Sequence, residues 1–321
     1  MPQGYIRMND LGARGQPFFF LIGFEPENPI IVMPEDAASE GIFYKVGDFS
    51  NPLPGSTPRG PFFFRKHPVP YSLYYKSFQK VQRHIRAGNS YLVNLTFPTP
   101  IETDLTLADI YLRSQAKYKL LYKDEFVVFS PEQFVQIENR RISTFPMKGT
   151  IEASIPRARE IILSDQKELA EHTTIVDLLR NDLNRVARQV RVSRFRYVEN
   201  IETNFSSLLQ VSSEITGILP PEYPSQIGEI LYFMLPAGSV TGAPKKKTVD
   251  IIRDSEIYQR GFYTGIFGFF DGKNLDSGVM IRFIERHKDG YVYKSGGGIT
   301  FLSDPQAEYQ ELIEKVYVPF T

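Results

Sequence analysis

Two pairs of glutamates in this sequence have the residue types and spacing that suit chemistry. Glu168 and Glu171 lie three residues apart in KELAEHTTIVDLL, and Glu308 and Glu311 have the same spacing in DPQAEYQELIEK. Because residues three apart share a helix face, each pair presents two carboxylates in one direction. A single pair would be better explained by helix capping or by a solvated helix face. Two pairs, in a chain with no cysteine and four histidines, favour a hard divalent ion, most naturally Mg²⁺ completed by water and an anionic substrate.

A lysine, Lys148, stands where an apolar strand pattern ends, in FPMKGT, with Gly149 directly after it. A lysine at such a break is usually a solvated edge residue, because its long side chain can extend into water. The alternative is an amine held in a pocket, where a lowered pKa lets it attack an electrophile. The segment FPMKGT alone favours a solvated Lys148, so the choice between the two interpretations depends on the rest of the sequence.

Two glycine-rich segments offer backbone N–H groups to an anion. LPAGSVTGAPKKK (235–247) leads into a predicted helix whose first N–H groups attract anions, although the P-loop pattern is absent. SGGGI (295–299) precedes the second glutamate pair, and its glycines let a ligand approach the backbone closely. Arg282 has a predicted strand position, where a buried guanidinium needs an anionic partner. Each segment also suits an ordinary turn, but together they favour a small polycarboxylate substrate.

The bulk composition excludes several classes of protein. The 37 Lys+Arg balance 37 Asp+Glu over 321 residues, so no overall field attracts nucleic acid or an anionic membrane. The most apolar short run, PFFFLIGF (17–24), is far shorter than the roughly 20 residues that span a bilayer, and it is predicted to be a buried strand. Lack of cysteine and of a signal-peptide pattern predicts a cytoplasmic protein with a small-molecule ligand.

The order of helical and strand patterns indicates how the reactive groups are positioned. Helical patterns begin at Tyr71 and recur at 106–118, 165–189, 224–235, 243–258 and 304–316. Strand patterns lie at 126–137, 141–147, 208–218, 262–270, 278–285 and 291–295. Asp165 and Asp304 are predicted N-caps of the two glutamate helices. Because tight DGKN and HKDG turns join the strands between 262 and 295, we expect antiparallel meanders and an α+β protein.

Seven stretches, taken in this order, resemble the chorismate-utilising enzymes, which include anthranilate, aminodeoxychorismate, isochorismate and salicylate synthases. The stretches are PMKGT, AEHTTIVDLLRNDLNRV, AGSVTGAPK, RGFYTGIFGFF, IRF, SGGGI and DPQAEYQE. They span about residues 71–320, and such a set is highly specific. The resemblance implies antiparallel sheets sandwiched by helices. It also implies a chorismate-binding catalytic domain over 71–321, with residues 1–70 as a short strand-rich segment packed on the core.

One position separates the branches of this family. The segment around Lys148 is similar to P-I-A-G-T in anthranilate synthases and to P-I-K-G-T in aminodeoxychorismate synthases, and this chain has PMKGT. The resemblance therefore implies Mg²⁺-dependent amination of chorismate at C4, giving 4-amino-4-deoxychorismate for para-aminobenzoate and folate synthesis. In that mechanism Lys148 attacks C2 of chorismate while the 4-hydroxyl leaves, and ammonia then adds at C4 and expels the lysine. Glu132, in FSPEQF, matches the family's general acid/base glutamate.

The same resemblance implies a set of binding residues. Glu171 and Glu311 match Mg²⁺ ligands, with Glu168 and Glu308 in support. The positions that match substrate-binding residues are Thr241, Gly242, Tyr263, Arg282, Gly296, Gly297, Gly298 and Lys315. Ammonia is expected from a separate glutamine amidotransferase subunit, because no stretch of this chain resembles one; free ammonia is the alternative.

Two departures from the family pattern qualify this interpretation. Gln210, in LQVSS, stands where the family usually has a histidine, and an amide can hydrogen-bond but cannot shuttle a proton. This favours amination over pyruvate elimination. About 70 residues precede the matching core, so a regulatory tryptophan pocket is not expected. Two alternatives stay open: an anthranilate synthase component, which forms anthranilate and pyruvate, and a non-catalytic binding protein with the same fold.

Overall fold

The computed structural model describes residues 1–202, 207–288 and 290–320. The helices are α1 (Gln3–Ala13), α2 (Pro34–Ala37), α3 (Tyr71–Arg86), α4 (Leu107–Arg113), α5 (Ala158–Ser164), α6 (Gln166–Asn184), α7 (Ile227–Met234), α8 (Lys245–Ser255) and α9 (Pro305–Glu314). The first nine strands are β1 (Phe18–Ile22), β2 (Ile30–Val32), β3 (Ile42–Val46), β4 (Phe49–Asn51), β5 (Phe64–Lys66), β6 (Leu92–Thr103), β7 (Tyr118–Tyr122), β8 (Phe126–Ser130) and β9 (Gln133–Glu138). The later strands are β10 (Arg141–Thr144), β11 (Met147–Glu152), β12 (Arg188–Glu202), β13 (Ser207–Ile218), β14 (Gly242–Ala243), β15 (Ile266–Phe270), β16 (Leu275–Val279), β17 (Phe283–His287) and β18 (Gly290–Ile299).

The strands of the described residues form two large antiparallel sheets. Sheet A has the order β11-β13-β10-β9-β16-β15-β1-β2, with β12 added on β13. Sheet B has the order β14-β6-β18-β17-β8-β7-β3-β4, with β5 added on β6. This arrangement confirms the α+β class and the antiparallel pairing predicted from the sequence. In the described part of the chain, no helix has the length and apolar content needed to cross a membrane.

The two sheets pack face to face, and helices cover their outer faces. Phe19 of β1 and Tyr44 of β3 stack between the sheets with ring centroids 4.6 Å apart. Phe18 and Phe20 point the other way, into a core shared with α1, α6 and α7. Helices α3, α8 and α9 pack against β6 and β18 on sheet B, and α4 packs on the same sheet. Because β1 is buried on both faces, its sequence is apolar without alternation, as predicted.

The region after α6 and the N-terminal segment both depart from the predicted elements. The helical pattern over 165–189 ends at Asn184, and the following residues form β12, which pairs with β13. The N-terminal segment carries α1, which the sequence patterns did not predict. Two glycines explain how α1 docks: a Cβ on Gly12 would lie 1.9 Å from the Pro224 carbonyl oxygen, and one on Gly228 would lie 2.1 Å from that of Tyr5. Such close backbone approach needs glycine.

The segment 262–295 forms two hairpins that divide between the sheets. Strands β15 and β16 pair across the DGKN turn in sheet A, and β17 and β18 pair across the HKDG turn in sheet B; Asp289 of that turn lies outside the described residues. The chain crosses between sheets just before β17. Arg282 lies at this crossing with φ of 53°, so its predicted strand position is wrong. Strand β17 begins one residue later, at Phe283.

Segment 1–70 supplies strands to both sheets. Strand β1 pairs with β15 in sheet A, and β3 pairs with β7 in sheet B. The N-terminal residues therefore share both sheets with the part of the chain that carries the reactive groups.

Candidate active site

Lys148 is positioned by an irregularity in β11. It pairs with Val211 of β13, and the register shifts before Thr150 pairs with Gln210, which leaves Gly149 between them at φ of 76°. Such a bulge redirects the neighbouring side chains. A Cβ on Gly149 would lie 3.3 Å from Oε2 of Glu168 on α6. Glycine at this place therefore permits both the bulge and the close approach of the helix.

The amine of Lys148 lies between α6 and the glycine-rich end of β18. Its Nζ is 3.5 Å from Oε2 of Glu171, whose side chain is 7% exposed. A Cβ on Gly298 would lie 3.6 Å from this Nζ and 3.7 Å from the same carboxylate oxygen. A side chain on β18 would thus fill the space beside the amine. The structure brings three predicted residues together: a lysine, an acid and a glycine.

Helix α9 brings its acidic pair to the adjacent glycine. Asp304 caps the helix by accepting from the N–H groups of Gln306 and Ala307, as predicted. A Cβ on Gly297 would lie 3.5 Å from Glu308 Oε2 and 3.6 Å from Glu311 Oε1.

Lys315 joins this group from the end of α9. Its Nζ is 2.6 Å from Glu311 Oε1 and donates to the Gly296 carbonyl oxygen at 2.9 Å. The three glycines therefore form a strip of bare backbone against which two lysines and three glutamates lie.

Glu132 lies where the chain passes from β8 in sheet B to β9 in sheet A. Its carboxylate accepts a hydrogen bond from the Ser239 hydroxyl. Burial raises the pKa of the Glu132 carboxyl, while the bond from Ser239 and the positive charges of Lys148, Arg282 and Lys315 act against this rise. Three predicted cations therefore lie within electrostatic reach of one carboxyl. A carboxyl with a raised pKa can hold a proton and deliver it to a leaving group.

Arg282 and Tyr263 form another wall of this region. The Arg282 guanidinium lies 5.1 Å from the ring centroid of Tyr317, and its buried Nε has no hydrogen-bond partner among the described residues. Tyr263 is 3% exposed, and burial raises the pKa of its hydroxyl. A buried N–H without an acceptor has a free-energy cost that an anionic ligand would remove.

Thr241 and Gly242 both make close contacts within the protein. The buried Thr241 hydroxyl donates to the Ala237 carbonyl oxygen at 2.7 Å. Gly242 has φ of 129°, and a Cβ there would lie 1.9 Å from the Leu92 carbonyl oxygen, so glycine is needed for β14 to pair with β6. The loop they belong to also presents Ser239 to Glu132. Sequence reasoning did not select Ser239 as a site residue, although a hydroxyl between two glycines in AGSVTG was a usable signal.

Arg260 is a second residue that sequence reasoning missed. Its guanidinium donates to both carboxylate oxygens of Glu256, to the Thr264 hydroxyl and to the carbonyl oxygens of Val240 and Asn94, at 2.6 to 3.1 Å. Val240 follows Ser239, Thr264 follows Tyr263, and Asn94 pairs with Gly298. Through these hydrogen bonds Arg260 connects three segments of the candidate site: the Ser239 loop, the turn at Tyr263 and the strand that pairs with Gly298.

His172 is a buried neutral side chain close to Lys148. Its Nε2 is 2.6 Å from the Ser213 hydroxyl oxygen. Burial, with the nearby positive charges of Arg196 and Lys148, lowers the pKa of His172 to about 4. The imidazole therefore adds no positive charge beside the amine at neutral pH.

The acidic groups suit a hard cation by their chemistry, because carboxylate oxygens are the ligands that Mg²⁺ prefers. As arranged here, Glu171 faces Lys148 and Glu311 faces Lys315. Among residues 1–202, 207–288 and 290–320, no group of three or more acidic or histidine side chains is arranged to hold a metal ion. The Mg²⁺ site thus stays a prediction that rests on the donor set.

A groove of about 880 Å³ lies elsewhere, on the outer side of α6. Its lining includes Leu169, Ala170, Asp177, Pro244 and Lys245, and none of the predicted site residues. We place the candidate active site at the glycine strip, because the reactive groups meet there.

Comparison with known protein families assigns this chain to one of them. The family model described as chorismate binding enzyme matches residues 44–320. The match covers most of the chain, and it includes both glutamate helices, Lys148 and the glycine strip. The chain therefore belongs to the chorismate-binding enzyme family.

Individual relatives fall in several branches of that family. An "uncharacterized PabA-like protein" of Pasteurella multocida is 51% identical over 97% of this chain and 96% of its own length. Aminodeoxychorismate synthase component 1 of Salmonella typhimurium is 34% identical over 76% of this chain and 56% of its own length.

Solved structures share the fold. Anthranilate synthase component I of Streptococcus pneumoniae superposes with a TM-score of 0.68 and 28% identity, covering 80% of this chain and 59% of that one. The menaquinone-specific isochorismate synthase of Escherichia coli gives a TM-score of 0.73 at 17% identity, covering 98% and 80%. The predicted fold family is confirmed.

Proposed function

We propose that this protein aminates chorismate at C4 to form 4-amino-4-deoxychorismate, with Lys148 as the nucleophile. The observation that carries the proposal is the position of the Lys148 amine: it lies beside the bare backbone of Gly298, within electrostatic reach of the Glu132 carboxyl. An amine can attack a bound ring only where no side chain blocks the approach. Similarity to aminodeoxychorismate synthases, such as that of Salmonella typhimurium, supports the same reaction.

The proposed reaction balances in two displacement steps. Lys148 first loses a proton to solvent; its amine then forms a bond to C2 of chorismate, the ring double bonds shift, and the 4-hydroxyl leaves with a proton from Glu132 as water. Ammonia then bonds to C4, the double bonds shift back, the C2–nitrogen bond to Lys148 breaks, and the new C4 ammonium returns a proton to Glu132. The sum is chorismate plus ammonia giving aminodeoxychorismate plus water. Glu132 fits the acid role because burial raises its pKa, so that it retains a proton more readily.

The remaining predicted residues bind and orient the substrate in this proposal. Arg282 supplies a buried N–H to a substrate carboxylate, and Lys315 supplies positive charge at the other end of the glycine strip. Glu171 and Glu311, with Glu168 and Glu308, would hold Mg²⁺. A bound Mg²⁺ neutralises a carboxylate of the substrate. Ammonia would come from a separate glutamine amidotransferase subunit or from free ammonium in solution.

The covalent intermediate provides the decisive test. The protein is incubated with chorismate and Mg²⁺ while ammonium is withheld, and its intact mass is measured with peptide mapping. We expect an added mass of chorismate minus one water on Lys148, and its loss when ammonium is supplied. Lys247→Ala removes an exposed lysine and serves as the matched control, because it should retain the adduct. An adduct on another residue would contradict the nucleophile assignment.

Product analysis separates the proposal from its alternative within the family. Similarity to the anthranilate synthase of Streptococcus pneumoniae keeps that reaction as a second candidate. With chorismate, Mg²⁺ and ammonium, we expect aminodeoxychorismate without pyruvate. Stoichiometric pyruvate and anthranilate would establish the alternative, and no turnover under any of these conditions would favour a binding protein.

A further inference from the structure

A strongly basic pocket of about 690 Å³ opens on sheet B, away from the glycine strip. Its walls come from β3, from the end of α4 and the residues after it, and from the start of β7. The charged side chains that line it are Lys45, Asp48, Arg113, Lys117 and Lys119. Four cations thus face one acid, in a protein whose formal net charge is zero.

The strand register makes two of these cations cross-strand neighbours. Lys45 of β3 lies directly opposite Lys119 of β7 in the antiparallel pair. Like charges in that arrangement repel and destabilise the sheet. Lys119 is held in place, because its Nζ donates to the Ser114 carbonyl oxygen at 2.8 Å and lies 4.5 Å from the Tyr111 ring centroid. Burial and the charge of Lys45 lower the pKa of Lys119 to about 8.

Two carboxylates offset only part of this positive charge. Asp276 lies behind Gly47; its Oδ1 accepts from the Tyr118 hydroxyl, the Gln133 amide and the Ser277 N–H, and its negative charge interacts with Lys117. Asp48 is exposed.

The cations themselves are not paired with acids. Lys117 donates to the Gln133 amide oxygen, and Arg113 donates to the Gly60 carbonyl oxygen while its Nε is buried without an acceptor among the described residues. In the part of the chain that the structure describes, none of the four cations forms an ion pair with a carboxylate.

We propose that this pocket binds a small phosphorylated metabolite, held by the opposed pair Lys45 and Lys119 together with Arg113. A compact dianion placed between two ammonium groups replaces their repulsion with attraction. The guanidinium supplies the planar N–H geometry that phosphate oxygens accept, and the volume admits more than a bare phosphate. The site is separate from the chorismate chemistry, because none of the residues proposed for that reaction lines the pocket.

Calorimetric titration with inorganic pyrophosphate, at constant ionic strength, tests the proposal. We expect saturable binding of one pyrophosphate per chain and a dissociation constant about tenfold larger in Lys119→Met, from the loss of one charge-assisted contact. Lys76→Met removes an exposed lysine of α3 and should bind as the unaltered protein does. Absence of saturable binding, or equal affinity in Lys119→Met, would overturn the proposal. Malonate serves as a dicarboxylate probe, and tighter binding of malonate would reject the phosphate class.

Charge reversal separates the pocket from the candidate active site. Lys45→Glu converts the opposed lysine pair into an ion pair, so the ligand-free protein should gain a higher Tm while pyrophosphate binding is lost. Lys148→Ala should retain pyrophosphate affinity, because the amine lies outside this pocket. If Lys148→Ala abolishes binding while Lys45→Glu preserves it, the anion binds at the glycine strip and the proposal is wrong, whatever the fate of the proposed amination.

Discussion

Lys148 and Arg260 both lie beside carboxylates, yet the structure holds them very differently. Arg260 is 1% exposed in its side chain and donates five hydrogen bonds, two of them to Glu256. Lys148 is 23% exposed, and its Nζ lies 3.5 Å from Glu171, at the limit of a hydrogen bond. A cation with every donor satisfied cannot reorganise without loss of stability. This difference indicates that the Arg260 guanidinium has a structural role and positions the segments that it bonds. The Lys148 amine is less constrained and more accessible, as a reactive group must be.

Lys148→Ala should give the largest functional effect and almost no structural one. We expect amination of chorismate to slow by more than about 10³-fold, equivalent to about 4 kcal/mol in the barrier, because the nucleophile is lost. The free energy of unfolding should change by only about 1 kcal/mol: the Glu171 side chain is buried, but the contact is 3.5 Å long and Lys148 is 23% exposed. Steady-state kinetics and urea unfolding measure the two quantities. Near-normal turnover in Lys148→Ala would contradict the nucleophile role of Lys148, and with it the functional contrast with Arg260.

Glu132→Gln should slow amination by about 10²- to 10⁴-fold, the usual range for loss of a general acid. Its pKa is raised in the folded state, so the folded protein binds more protons than the unfolded chain between the unfolded pKa and that raised value. Stability therefore falls as pH rises through this window. Glu132→Gln should remove that part of the pH dependence, and unfolding free energies measured across the window check it. An unaltered pH profile of stability would contradict the burial of this carboxyl.

Arg260→Met should reverse the pattern of Lys148→Ala, with a large loss of stability. Removing one partner of a buried ion pair typically costs about 3–5 kcal/mol, because Glu256 is left charged and buried. Arg253→Met is the matched control: Arg253 also binds a glutamate, Glu25, through two nitrogens, but both side chains are about half exposed. The control should cost at most about 1 kcal/mol. Equal losses in the two variants, measured by urea unfolding, would show that the buried network is no more important than a surface pair.

Gly298→Ala should have the smallest effect, confined to substrate binding. The added Cβ would lie 3.6 Å from Lys148 Nζ and 3.0 Å from a methyl carbon of Leu92, which must shift slightly. We expect KM for chorismate to rise about tenfold, or about 1.4 kcal/mol, with the fold retained. Unchanged kinetics would indicate that the substrate does not occupy the space beside this glycine.

Local signals in the sequence predicted the parts of the site that depend on short-range contacts. Asp165 was predicted to cap α6, and its carboxylate accepts from the Glu168 N–H at 2.9 Å, a contact between residues three apart. The DGKN and HKDG turns correctly predicted their hairpins. Arg282 was misassigned, because a switch of the chain between two sheets leaves no periodic signal.

The sequence by itself determined the antiparallel α+β class and the two capped glutamate helices, since each follows from spacing within short segments, and it determined the family through seven such segments taken in order. Only the tertiary structure decided which groups meet. Ser239 binds Glu132 across 107 residues, and Arg260 reaches Asn94 across 166. Such contacts depend on the relative placement of two sheets, which is set by the burial of their shared aromatic core and cannot be inferred from any one segment.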